Sequence, residues 1–313
     1  MTIVSGTYLT YSAIGNREDL ADTIYNISPT DTPFMARIGS GKASAVTHEW
    51  QTDSLAAAAA NAQLEGDDFS YSTPSATTRV NNNCQISYKT TVVSKTQDAV
   101  NKAGRQKEMV YQLMKRAKEL RRDMEYVLTQ NQAKVAGNST TARQLRSLCS
   151  WYTTNVQRGS GGASGSTSTA ATDGTQRALT ESLLKTAIQQ AWTNGGDPDL
   201  IMVGPFNKQV ISSFSGNVTR MDNAGDGANT LNTAVDIYRS DFGTHQIVAN
   251  RFSRDRDCHV LTTDLWSVDY LRPMQTVDIA ATGDATKGAV VTEYTLVARN
   301  EAGSAVVADL TTS

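Results

Sequence analysis

Residues 98–136 read DAVNKAGRQKEMVYQLMKRAKELRRDMEYVLTQNQAKVA. No proline interrupts this stretch, and its only glycine, Gly104, lies near its start. The interior is rich in Lys, Glu, Arg, Leu, Met, Gln and Ala, all strong helix formers. Met109, Leu113, Ala117, Leu120, Met124 and Val127 recur at helical steps and draw a narrow apolar stripe along one face. The pattern predicts one unbroken helix of about forty residues, against ~11–12 for an average globular helix. It would span roughly 55–60 Å, longer than a compact domain of this size. Such a helix is a beam that carries other elements. Met109, Leu113, Leu120, Met124 and Val127 are expected to pack on strands after Leu265. The charged residues from Lys115 to Glu125 are expected to be exposed, with Lys115–Glu119 and Arg121–Glu125 as i,i+4 pairs.

The chain has 313 residues and a formal charge of −2. That is enough for one large domain or two ordinary ones, and it argues against a strongly basic nucleic-acid binder. Aromatics make up 7% and leave the chain light in core material. Cys84, Cys149 and Cys258 are odd in number and scattered, a poor disulfide framework and a poor zinc site, so they read as free thiols of a reducing compartment. No signal peptide or membrane span is predicted.

Ahead of the helix, residues 1–43 read as an extended arm, with a short helix over residues 17–26 and two prolines, Pro29 and Pro33. Residues 44–96 read as a long β-hairpin. Val80, Cys84, Ile86, Tyr88, Thr90 and Val92 fall on one parity, and Arg79, Asn81, Asn83, Gln85, Ser87 and Lys89 on the other. Val46, His48, Trp50 and Thr52 share a face of the first strand. The connection from Leu55 to Pro74 is too long for an ordinary turn. A ribbon with one weakly apolar face needs a surface to lie on, and a partner subunit supplies one.

After the helix, Gly137-Asn138-Ser139 is a stop signal. The Gly/Ser-rich run from Gly159 to Thr175 reads as a flexible linker. A helix is predicted from Thr180 to Thr193, a buried strand over Leu200–Val203, and a helix from Phe206 to Ser213 behind Pro205. Paired strands follow near Val235–Tyr238 and His245–Val248, then a strand at Cys258–Thr262, an alternation of α/β or α+β type. From Leu265 the chain is β-rich and ends in Ala305-Val306-Val307-Ala308.

Chemistry is sparse. His48, His245 and His259 have no histidine three or four residues away, and no His-Glu-x-x-His or Gly-x-Ser-x-Gly occurs. Gly39-Ser40-Gly41-Lys42-Ala43 lacks the first glycine and the Mg²⁺-binding hydroxyl of a phosphate loop and reads as a turn. Asp222-Asn223-Ala224-Gly225-Asp226-Gly227 fails as a calcium loop, because Ala224 and Thr233 occupy ligand positions. Asp241, Asp255 and Asp257 read as solvated loop charges. The basic cluster Lys115, Arg116, Lys118, Arg121 and Arg122 is interleaved with Glu119, Asp123 and Glu125 and reads as a solvated or intersubunit face. No catalytic, cofactor-binding or metal-binding residue is identified, and no cofactor is expected. A long beam, an unsupported ribbon and a terminal arm without a catalytic set describe an assembly protein.

The order of motifs resembles the major capsid proteins of tailed bacteriophages with the Hong Kong 97-type fold, in the family that includes the capsid protein of phage SU ten. The carrying residues are 19–29, with Thr32-Pro33-Phe34, then His48-Glu49-Trp50-Gln51-Thr52-Asp53, Gly104-Arg105, and Glu119-Leu120-Arg121-Arg122-Asp123-Met124-Glu125. Leu200-Ile201-Met202-Val203-Gly204-Pro205-Phe206-Asn207-Lys208-Gln209 and Asp241-Phe242-Gly243 follow. The resemblance implies an α+β capsid fold. The N-arm would be residues 1–43 and the extended β-loop residues 44–96. The peripheral domain would be residues 97–175 and 265–300, with its spine helix at 98–136, and the axial domain residues 176–264 and 301–313. It implies a shell subunit, not an enzyme, that forms hexamers and pentamers around double-stranded DNA held by non-specific contact. Its partners would be itself, a separate scaffolding protein, a portal at one vertex and decoration proteins. Its place would be the virion capsid, assembled in the bacterial host cytoplasm without a membrane. Lys42 and Lys89 are candidate donors for a covalent Lys–Asn cross-link, but no catalytic Glu matches, so non-covalent contacts are expected. The alternatives are another phage structural protein, such as a tail-tube or decoration subunit, or an enzyme with a hydrolase site in residues 176–264.

Overall fold

The computed structural model describes residues 28–69, 71–101, 107–214 and 235–313. The predicted helix over residues 17–26, Gly104 and the loop from Asp222 to Gly227 lie outside them. In chain order the elements are α1 (Pro33–Arg37), β1 (Gly39–Lys42), β2 (Thr47–Thr52), β3 (Thr78–Asn83), β4 (Gln85–Ser94), α2 (Lys95–Ala99) and α3 (Glu108–Thr129). Then come α4 (Leu148–Trp151), β5 (Val156–Gln157), α5 (Glu181–Thr193), β6 (Leu200–Val203) and α6 (Pro205–Ser212). The chain continues with β7 (Ile237–Ser240), β8 (Gly243–Ala249), β9 (Cys258–Leu261), β10 (Trp266–Ile279), β11 (Ala285–Ala298) and β12 (Ala305–Val307).

The beam is shorter at both ends than its composition predicts. α3 has 22 residues, roughly 33 Å at the usual rise. Asp98 belongs to α2, and Val100 after it is extended. The Asp98 carboxylate instead accepts a hydrogen bond from the Glu108 N–H at 2.9 Å and caps the first turn of α3 from outside. At the other end, Gln130 is extended. The following backbone is used elsewhere: Gln132 N–H donates to Ser147 Oγ, and Val135 pairs with Gln144. Gly137 turns the chain with φ +75°. Good helix formers in residues 131–136 lose to these long-range partners.

α3 packs on β4 as well as on β11, so only part of its bed comes from strands after Leu265. Leu120, Met124 and Leu128 are fully buried, while Leu113 and Val127 are half-buried. The sheet beneath has the order β1-β10-β11-β4. Gly288 lets the helix approach: a Cβ there would lie 2.7 Å from Met109 Cε and 3.3 Å from Leu113 Cδ2. Both are flexible side-chain ends. Gly288→Ala is therefore expected to be nearly neutral and Gly288→Val to cost about 1–3 kcal/mol, read as a shift in the urea midpoint at constant slope.

The second sheet has the order β5-β12-β9-β6-β8-β7. β6 and β9 are buried on both faces, as a continuous apolar run requires. Ile201, Val203, Cys258 and Val260 face a core shared with Leu184, Ile188 and Ile211 of α5 and α6. Leu200, Met202 and Leu261 face a second core with Phe34, Met124, Leu128, Trp151, Tyr152, Trp266 and Tyr294. α5 starts where predicted, at the Thr180 cap, and α6 at Pro205.

Two loop readings change. Gly39–Lys42 is not a turn but a strand, parallel to the start of β10; Gly41 fits because a Cβ would lie 2.6 Å from the Asp269 carboxylate. The Gly/Ser-rich run is not a free linker. It folds around buried Asp309, whose carboxylate accepts from Gly159 N–H at 3.0 Å and Gly174 N–H at 2.8 Å. A Cβ on Gly159 would meet the Thr175 carbonyl, so the glycines serve close backbone packing.

Candidate assembly surface and a buried polar cluster

The extended loop is built on a rooted stem. β2 and β3 pair antiparallel, Thr47 opposite Asn83 through Thr52 opposite Thr78. Trp50 donates from Nε1 to the Ala298 carbonyl at 2.8 Å and packs its ring 5.7 Å from Trp151. Asn82, fully buried, donates to the carbonyls of Arg146 and Leu296 and accepts from Arg146 N–H at 2.7 Å. From this foot the described residues between 53 and 77 run out without helix or strand and present Leu55, Leu64, Phe69 and Tyr71, all more than four-fifths exposed.

The long alternating run divides at Cys84: β3 stays in the hairpin, and β4 joins the sheet under α3. The parity that faces α3 is the polar one. Thr91 and Val93 are buried there, and Lys89 Nζ lies 2.7 Å from Asp123 Oδ2. The apolar parity faces outward: Ile86 is 45% exposed, Tyr88 63% and Val92 59%. Register extends this face. Tyr88 lies opposite Val291, Thr90 opposite Ala289 and Val92 opposite Lys287. Ala289 and Lys287 lie opposite Val277 and Ile279, themselves exposed. Ile86 lies opposite Glu293, which is buried between Arg143 at 2.5 Å and Arg272 at 2.9 Å. β1 reaches only as far as Tyr270, so the rest of β10 is an edge; Pro273 is tolerated there, with register shifts on either side. β4 is the other edge. Long strand edges beside an exposed apolar face invite pairing with another chain.

The charged face of α3 is less exposed than expected, with Arg116, Glu119, Arg122 and Asp123 half-buried. Lys115, Lys118 and Arg121 are exposed. Glu125 is fully buried. Its Oε1 accepts from Phe34 N–H and Asn250 Nδ2, both at 2.7 Å, and its Oε2 accepts from Met35 N–H at 2.9 Å. It caps α1 rather than pairing with Arg121, whose Nε donates to Thr32 Oγ1. Glu119 pairs with Arg116 at 2.6 Å, not with Lys115. Burial raises the Glu125 carboxyl, with its N–H donors pulling the other way.

Of the histidines, His48 lies 3.3 Å from Asp269, and buried His245 sits between Ser240 Oγ and the Pro198 carbonyl, both at 2.6 Å. Asp257 is not a solvated charge. It is buried beside Cys149 and His259 and contacts Arg254, which pairs with Asp173. Burial, with Arg254 and Arg158, holds the His259 imidazole down at about 3, and burial pushes the Cys258 thiol up to about 12. Cys149 and Asp257 are 108 positions apart, so no local motif announces their meeting. Glu125 did carry a signal: it stands beside Met124 and one turn before Leu128, at the margin of the buried stripe.

Comparison with known proteins identifies this arrangement. The SU10 major capsid protein family matches residues 3–311. The major capsid protein of Escherichia phage Phieco32 is 24% identical over 340 aligned positions, covering 96% of this chain and 96% of that one. Among solved structures, the capsid of a native GTA particle superposes with a TM-score of 0.64 at 7% identity, covering 96% of this chain and 98% of that one. The capsid of cyanophage A-1(L) does so at 0.61 and 13% identity, covering 97% and 99%. The α+β architecture is that of phage capsid subunits, and no helix of the described residues is long and apolar enough to cross a membrane. With its family, its fold and its uncovered surfaces in agreement, the chain belongs to the SU10 family of phage major capsid proteins, structural proteins rather than enzymes.

Proposed function

We propose that this chain forms a closed icosahedral shell of hexamers and pentamers around double-stranded DNA, and that residues 53–77 of one subunit lie on the outward sheet face of its neighbour. The observation that carries the reading is the pair of complementary uncovered features in one chain: a loop bearing Leu55, Leu64, Phe69 and Tyr71, and a face bearing Ile86, Tyr88, Val92, Val277 and Ile279. Neither is covered within the subunit, and apolar burial is what drives association. In this reading α3 with the β1-β10-β11-β4 sheet forms the peripheral domain, and the six-stranded sheet with α5 and α6 forms the axial domain around the symmetry axes. The exposed Lys115, Lys118 and Arg121 suit non-specific contact with phosphate. A separate scaffolding protein, a portal and decoration proteins are the partners implied by the resemblance. Lattice contacts are non-covalent, with Lys89 engaged by Asp123. Negative-stain microscopy of the co-expressed chain is expected to show closed shells or hexameric sheets. Small discrete particles alone would contradict the reading.

A further inference from the structure

α4 and β9 bring three chemically distinct side chains to one point. Residues two apart along an extended chain share a face, so Asp257, at the entry to β9, and His259 within it point the same way. The facing residue is Cys149 on α4. Cys149 Sγ lies 3.3 Å from Asp257 Oδ2 and 3.9 Å from His259 Nε2, and the three ligand atoms are all within 4.8 Å of one another. None of the three residues is more than 2% exposed.

We infer that Cys149, Asp257 and His259 form a three-ligand site for a borderline-soft divalent cation, zinc foremost, with a fourth position left to water. Zinc takes thiolate at about 2.3 Å and imidazole or carboxylate at about 2.0–2.2 Å, which sets neighbouring ligand atoms of a tetrahedron about 3.3–3.6 Å apart. The Cys149–Asp257 spacing of 3.3 Å already meets that geometry, and the His259 ring, at 3.9 Å from Cys149, must move inward to meet it. The converging atoms are Asp257 Oδ2 and His259 Nε2; the other polar atom of each side chain, Oδ1 and Nδ1, is buried without a hydrogen bond, so no competing partner holds either side chain there. Tyr152 stacks on the His259 ring at 5.7 Å and fixes its plane. Charge closes as well. Binding releases the Cys149 thiol proton to solvent. The thiolate and the Asp257 carboxylate then offset the two charges of the ion. Arg254, 3.2 Å from Asp257, also donates from Nη2 to both oxygens of Asp173 at 2.7 Å, while Arg256, which shares Asp173, pairs with Asp309. The ion would tie α4, which packs against α3, to the central strand of the second sheet.

The test uses the full-length chain loaded with Co²⁺ as a spectroscopic stand-in, with zinc content measured in parallel after passage over a chelating resin. About one ion per chain is expected, with a sulfur-to-cobalt charge-transfer band. The band should persist in Cys84→Ser and Cys258→Ser, whose thiols lie outside the cluster, and vanish in Cys149→Ser. If Cys149→Ser does not fold, persistence in the other two variants still assigns the band to Cys149. Chelation should lower the thermal midpoint of the wild-type chain, and added zinc should restore it. A folded wild-type chain that takes up no metal, or binds cobalt without the thiolate band, would overturn the site and leave a Cys–Asp–Arg hydrogen-bond network.

Discussion

Glu125→Ala is expected to destabilise the subunit by about 3 kcal/mol, because two buried donors and one part-buried donor lose their acceptor at once. The Phe34 and Met35 N–H groups belong to the first turn of α1, where no intrahelical carbonyl can reach them. Phe34 is also a fully buried member of the main core, so loosening α1 loosens the packing against Met124 and Leu128. Glu125→Gln keeps one acceptor but turns the other position into a donor facing an N–H. It should cost less, about 1–3 kcal/mol. Urea unfolding of the soluble subunit reads both, and a midpoint unmoved in Glu125→Ala would refute the capping role. The carboxyl also carries a pH signature. Its value is raised in the folded chain, so the folded state holds this proton to higher pH than the unfolded state. Its contribution is thus a fall in stability as pH rises from the ordinary carboxylate range to the raised value. Glu125→Gln should remove that slope.

The second large effect concerns assembly rather than folding. Ile86→Asp combined with Tyr88→Asp is expected to lower the yield of closed shells by about tenfold or more, while the isolated subunit unfolds at nearly its normal midpoint. Both side chains are exposed in the subunit, at 45% and 63%, so charge there costs the monomer little. In a shell the same charges would be buried against Leu, Phe and Tyr side chains without partners. Sedimentation separates shells from subunits, and circular dichroism reports the fold. Normal shell yield from the double variant would show that this face is not an interface.

These two sites also mark what could be read from the residues alone. β6, α5 and α6 were legible because caps, Pro205 and short-range periodicity specify them, and the segment after Leu265 was legible as β-rich but not as the single strand Trp266–Ile279. The alternation of residues 78–94 was legible as strand, but one parity cannot say that the chain changes partner at Cys84. Its apolar side stays exposed in the subunit, and its polar side packs under α3 because Lys89 finds Asp123. The ends of α3 were illegible, since Asp98 and Gln144 set them from outside the helix. The Gly/Ser-rich run passed for a linker because its organising residue, Asp309, lies 135 positions beyond Gly174. Cys149, Asp257 and His259 were hidden for the same reason: burial of a polar group is a property of what packs over it, not of its neighbours in the chain.

A neighbouring subunit is expected to cover what this one leaves bare. Cryo-electron microscopy of the assembled shell tests it most directly. The expected map places residues 53–77 of an adjacent subunit within van der Waals contact, about 4 Å, of Ile86, Tyr88 and Val92. A shell in which those three side chains face solvent, and the loop touches no neighbour, would contradict it.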